Sequence, residues 1–196
     1  MGRRRDGGVA KRQTVRRFVF ALAAAALLVV GALAIVREQP DFVQRLRYPL
    51  RYEEIVRAHA KNYDLDPSLL AALIYTESRF DARARSEAGA LGLMQLLPDT
   101  AKGIAVRTGG NAFVVEDLYV PELNVRYGSW YLRNLLNRYN DERTALAAYH
   151  AGQGNVDGWR KRGVGIQFPE TRNYVAKIER VKAIYARSYP NELGLR

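Results

Sequence analysis

The sequence predicts a mainly α single domain behind an N-terminal transmembrane helix. Three observations carry that prediction. Residues 18–36, FVFALAAAALLVVGALAIV, are nineteen consecutive apolar or small residues. From Tyr52 onward, capping residues and prolines repeatedly precede apolar residues at helical spacing. No run alternates apolar and polar residues as a half-buried strand would, and the glycine-bearing segment 86–92 leaves room only for a small hairpin.

Roughly 20 helical residues cross the hydrocarbon core of a bilayer, so 18–36 suffices for one span. Ahead of it stand Arg3, Arg4, Arg5, Lys11, Arg12, Arg16 and Arg17, whereas its far side begins with the balanced pair Arg37 and Glu38. The positive-inside rule then makes 1–17 a basic cytoplasmic tail and exports everything after the span. The alternative is a signal peptide cut near Ala32-Leu33-Ala34. The apolar run exceeds the roughly 7–15 residues of a signal core, which favours a retained anchor, and both readings export the same domain. Residues 37–47 read as a juxtamembrane linker, in a stretch up to Arg51 where Pro40 and Pro49 interrupt periodicity and Arg45, Arg47 and Arg51 are placed to meet lipid headgroups.

The domain itself is expected over 48–190, with 191–196 as a C-terminal tail. A first helix runs from Glu53 to about Tyr63. Asp66-Pro67 supplies an N-cap followed by proline at the first helical position, starting a helix that reaches about Arg79. Helices follow over Pro98 to Val106 and Pro121 to Tyr139. Asp141 caps one that runs to Ala151 and stops at Gly152. Gly154 to Arg162 is a short helical turn at best, and Pro169 opens a last helix to about Ser188, with Ile178, Val181, Ile184 and Tyr185 at core-facing spacing.

Composition narrows the chemistry. The formal net charge is +11, of which residues 1–37 supply +7 and the rest of the chain only +4. The basic excess thus sits in the tail rather than along a folded face, so nucleic acid is not an expected partner. The chain contains no cysteine, which removes disulfides, thiolate metal sites and a lipid-modified cysteine anchor together. His59 and His150 have no carboxylates at ligand spacing beside them, and no metal or other cofactor is implied.

One acid is out of place. In LLAALIYTESRF, residues 69–80, a helical wheel at roughly 100° per residue sets Glu77 in the middle of the stripe formed by Leu69, Leu70, Leu73, Ile74 and Phe80, with Tyr75, Ser78 and Arg79 pointing elsewhere. Partial burial penalises its charged form, and the negative end of the helix dipole pushes its pKa the same way. Both effects suit a general acid near neutral pH. A structural glutamate paired with Arg79, Arg83 or Arg85 is the alternative. The loop SEAGALGLMQL, residues 86–96, begins nine residues later. Its glycines allow close backbone approach to a ligand, Gln95 offers a donor and an acceptor to a sugar, and Met94 offers a pliable apolar wall.

These residues carry a resemblance. DPSLLAALIYTESRFDARARSEAGALGLMQLLPDTA (66–101), PELNVRYGSWYL (121–132), ALAAYHAGQGNV (145–156) and ETRNYVAKI (170–178) together closely resemble the soluble-lytic-transglycosylase-type (SLT) catalytic domain, a goose-lysozyme-like branch of the lysozyme superfamily. The resemblance implies a lysozyme-like fold (goose-type lysozyme/lytic transglycosylase); joined to the apolar span and its basic flank, it makes the expected location the bacterial cytoplasmic (inner) membrane, with the domain facing the periplasm or cell wall. It implies glycan strands of peptidoglycan as the partner and cleavage of the β-1,4 bond between N-acetylmuramic acid and N-acetylglucosamine, with formation of a 1,6-anhydromuramyl end. By motif, Glu77 is the single acid/base, with Ser78 and Tyr174 in support, Tyr174 by hydrogen bonding to the catalytic carboxyl. Met94, Gln95, Tyr149, His150 and Glu170 are the substrate-binding residues. Where the family motif reads Ala-Tyr-Asn, this chain has Ala148-Tyr149-His150. On this reading His150 contacts a sugar amide, and His150→Asn preserves or raises activity while flattening its pH profile. A lysozyme-type hydrolase and a non-catalytic glycan-binding domain are the other readings the sequence leaves open.

Overall fold

The computed structural model describes residues 19–31, 41–110 and 112–195. The chain divides into two compact units, residues 1–44 and 45–196. In the first, residues 19–31 form helix α1, whose side chains are exposed. Among the described residues no helix is long and apolar enough to cross a membrane; both ends of the expected span, residue 18 and residues 32–36, lie outside them. Helix α2 (Asp41–Arg47) begins in the first unit and ends in the second.

The second unit is built from α3 (Glu53–Asn62), α4 (Pro67–Ser78), α5 (Pro98–Thr108), a 3-10 turn (Val115–Tyr119), α6 (Pro121–Tyr139), α7 (Glu142–Ala151), α8 (Gln153–Lys161) and α9 (Pro169–Ser188). The sequence signals act where expected. The Asp66 carboxylate accepts from the Ser68 and Leu69 amides, 2.8 and 3.4 Å, and Asp141 accepts from the Thr144 amide at 2.7 Å, satisfying donors that a helix start leaves unpaired. The expected hairpin is reduced to isolated antiparallel bridges, Arg85 with Leu91 and Leu91 with Leu96.

Three segments differ from expectation. Residues 41–47 of the expected linker are helical, and Arg45 is engaged with the domain, 2.7 Å from Glu192 with its guanidinium 4.5 Å above the Tyr189 ring. The expected tail is docked rather than free: Leu193 is buried and Arg57 donates to the Glu192 carbonyl at 2.8 Å. Residues 153–161 form a full helix despite two glycines, because burial of Val156 and Trp159 outweighs poor intrinsic propensity.

Helix α4 is the centre of the unit. Every residue from Ser68 to Tyr75 is buried, so α4 is apolar all round and packed between α3 and α9. The expected outward face does not exist: Tyr75 is buried and its hydroxyl donates to the Arg47 carbonyl at 2.9 Å. Two apolar clusters result. The larger surrounds α4 and α9; the smaller gathers Leu91, Leu96, Ile104, Leu118 and Tyr127 around α5 and the 3-10 turn. Tyr131 and Tyr149 pack against both, and the cleft opens where the clusters meet.

Candidate active site

Helix α4 ends at Ser78, where Arg79 turns left-handed (φ 53°), followed by Phe80 (φ 64°), whose ring is buried edge-on against Tyr185. Stopping the helix there leaves Glu77 in its last turn, on the wall of a cleft of about 440 Å³. Of the cleft-lining residues Glu77 is the one carboxylate; Gln95, Tyr131, Tyr149 and His150 surround it. Tyr174 reaches across from α9 and donates its hydroxyl to Glu77 Oε1.

The electrostatics follow from that placement. Burial pushes the Glu77 carboxyl up to about 7, while the Tyr174 hydrogen bond and the charge of Lys177 oppose the rise without cancelling it. Burial likewise raises the Tyr174 and Tyr149 phenols well above their ordinary value, with the Glu77 charge next in effect, so both stay protonated donors. Asp81 and Glu87 are exposed and do not line the cleft; the Asp81 carboxylate accepts from the Arg83 amide at 2.9 Å. The alternative of a glutamate paired with Arg79, Arg83 or Arg85 is not realised: no ion pair to Glu77 forms among the described residues, and Arg83 and Arg85 lie exposed.

The remaining expected residues divide by what they touch. Ser78 ties α4 to the loop, donating to the Leu93 carbonyl at 2.8 Å. Gln95, left-handed at φ 48°, lines the cleft and spends its amide nitrogen on the Ala84 and Gly92 carbonyls, 3.2 and 2.9 Å, which fixes the orientation of its side chain. Met94 corrects the expectation of an apolar wall. Its side chain is fully buried against Gly128, where even a methyl group would sit 2.2 Å from Sδ. What Met94 gives the site is its carbonyl, which accepts from the Tyr149 hydroxyl at 2.9 Å. Tyr149 and His150 line the cleft; Glu170 is exposed and does not, acting only as a charge beside His150.

Glycine in the loop also serves another end than expected. Gly92 (φ +76°) lies where a Cβ would come within 2.2 Å of the Leu118 carbonyl oxygen and 2.3 Å of Asn124 Nδ2. The close approach is to the protein's own backbone, and it admits Asn124, which the sequence reading missed. Asn124 is fully buried on α6, accepts from the Met94 amide at 2.7 Å and donates to the Leu91 and Leu118 carbonyls at 2.9 and 2.8 Å, pinning the loop. Tyr131 was missed too; its ring packs 5.4 Å from that of Tyr149.

The family described as Transglycosylase SLT domain matches residues 54–165. A transglycosylase of Enterobacteria phage PRD1 is 35% identical over 142 residues, covering 72% of this chain and 47% of that protein. A putative soluble lytic murein transglycosylase of Haemophilus influenzae is 34% identical over 156 residues, 74% of this chain and 26% of that protein. Among solved structures, the lytic transglycosylase Slt of Pseudomonas aeruginosa, determined as an inactive glutamate-to-glutamine mutant, matches at a TM-score of 0.68 and 34% identity over 78% of this chain and 26% of its own. The chain therefore spans less than half the length of these relatives. A mainly helical, lysozyme-like unit with one desolvated carboxyl in its cleft, matched by that family over more than half of its residues, makes this chain a member of the transglycosylase SLT domain family.

Proposed function

We propose that this chain is a peptidoglycan lytic transglycosylase in which Glu77 acts alone as acid and base. The observation that carries the reading is the lone, desolvated cleft carboxyl held by Tyr174. Most glycosidases place two carboxylates about the scissile bond; a cleft with one suits a route in which the substrate supplies the nucleophile. Protonated Glu77 donates to the glycosidic oxygen as the bond from muramyl C1 breaks. The resulting carboxylate then takes the proton of the muramyl C6 hydroxyl as that oxygen bonds to C1. The products are a free N-acetylglucosamine hydroxyl and a 1,6-anhydromuramyl end, and Glu77 regains its proton with no water consumed. Ser78 holds the loop, Gln95, Tyr149 and His150 meet the sugar, and Met94 acts through its backbone. Mass spectrometry of purified wall after digestion tests the reading; muramyl ends that are reducing, with no anhydro product, would replace it with a lysozyme-type hydrolase.

The acid step needs Glu77 protonated, so kcat/KM should fall above about pH 7. Tyr174→Phe removes a hydrogen bond that favours the carboxylate, which raises the Glu77 pKa further. The expected result is an alkaline limb displaced to higher pH together with a loss of about tenfold or more in kcat, read from pH–rate profiles.

The folded domain is proposed to span about 48–190, extended by the docked residues up to 195, and to be tethered at the cytoplasmic membrane by residues 18–36. The uninterrupted apolar run, its basic flank and the exposed apolar side chains of the described part, such as Leu27 and Leu28, support the tether. The full chain should stay with membranes through alkaline carbonate washing and leave them in detergent; release by carbonate alone refutes the tether.

A further inference from the structure

His150, the departure from the family motif, is coupled to the catalytic pair by more than proximity. It stands at the end of α7, and its Nδ1 lies 3.0 Å from the hydroxyl of Thr171, a buried residue in the first turn of α9. Its ring packs against that of Tyr174, three residues further along α9, with centroids 4.4 Å apart and planes 36° from parallel. The Tyr174 hydroxyl has one hydrogen bond among the described residues, the one to Glu77. Where the phenol ring lies is therefore decided by its packing, and His150 supplies a face of it.

We infer that His150 is a positioning residue: clamped by Thr171, its imidazole ring holds Tyr174 against Glu77. The inference rests on the proposed role of Glu77 but assigns His150 a task distinct from touching the sugar. The clamp survives titration, because the Thr171 hydroxyl both donates and accepts and so bonds either form of the imidazole. The groups that face His150 are Tyr174 and Glu170 on α9, Glu77 on α4, Tyr131 on α6 and its neighbour Tyr149. Burial lowers the His150 pKa, favouring the neutral ring, and the charge of Glu170 opposes this.

The test reads Glu77 directly. Carbon-13 NMR titration of the Glu77 carboxyl in the full chain needs no substrate, so it stands even if the chain proves not to cleave wall. Loss of the clamp frees Tyr174 and removes a hydrogen bond that stabilises the carboxylate, so His150→Ala should raise the Glu77 pKa. His150→Phe keeps a ring against Tyr174 but loses the Thr171 bond, and should bring the pKa back most of the way, the remainder measuring what Thr171 adds. His150→Asn is the stringent case: it restores the family residue, yet it lacks the ring and should behave like His150→Ala, the reverse of the preserved or raised activity expected if His150 only contacts the sugar. In turnover of soluble glycan strands the same series should lose about tenfold in kcat with little change in KM, and regain it with Phe. An unchanged Glu77 titration in His150→Ala, or a KM rise that Phe does not rescue, overturns the inference and leaves His150 as a sugar contact only.

Discussion

Glu77→Gln should abolish wall digestion, lowering turnover by about 10²–10⁴-fold, the span that a positioned general acid contributes. The fold should survive, because a glutamine oxygen can still accept from Tyr174. The same exchange should also stabilise the protein at alkaline pH. Between about 4.5 and 7 the folded chain holds a proton on Glu77 that the unfolded chain has released. Wild-type stability therefore falls as pH rises through that window, and its cost is fully present above it. Gln carries no such cost. Melting curves should place the variant above wild type at pH 8, with the gap closing towards pH 4.5. Equal melting temperatures at pH 8 would mean that Glu77 is solvated after all, and undiminished digestion would remove it from the chemistry.

Asn124→Ala should be the most damaging single change away from the chemistry. It leaves the Met94 amide and the Leu118 carbonyl without the partner they have in a buried region, and takes one of two donors from the Leu91 carbonyl, which keeps the Leu96 amide at 3.1 Å. With about 1–3 kcal/mol for each of these two groups, the loss should be about 2 kcal/mol or more. For a domain of this size that lowers the melting temperature by roughly 4–8 °C. Turnover should fall as well, since the loop bearing Gln95 and the carbonyl that anchors Tyr149 are both set by this side chain. Thermal unfolding of the purified chain measures the first effect; a shift of under about 2 °C would show that the loop is held by other means.

Much of the helical layout was readable because its signals are local. Asp66-Pro67, Pro121, Asp141 and Pro169 each begin a helix through the chemistry of a few neighbouring residues. Helices α2 and α8 were not readable: the first follows a proline and the second carries two glycines, and the partners that fold them are distant in sequence. At the site, Glu77 was found as a polar residue at a core-facing position. The same criterion would have found Asn124, which shares the buried face of α6 with Val125, Gly128 and Leu132. Polar residues are frequent along α6, and nothing local in the sequence sets Asn124 apart from them. Met94 went astray differently. A glycan-binding motif marks a loop, but which of its atoms faces the cleft depends on Gly128, a residue 34 positions later whose missing side chain makes the hole that Met94 fills. The helical wheel erred for a related reason, since a helix enclosed on all sides has no face to spare for solvent.

Glu77 and its donor Tyr174 lie 97 residues apart, on α4 and α9, which pack against each other. The acid is consequently not a property of the segment that contains it. A chain ending before Pro169 would keep Glu77 and the whole stretch matched by the family, yet lack both Tyr174 and the helix whose packing takes the carboxyl out of water. During synthesis the carboxyl would titrate like any exposed glutamate until α9 had emerged and docked. Catalytic competence would then arrive in one step, with the closure of the fold.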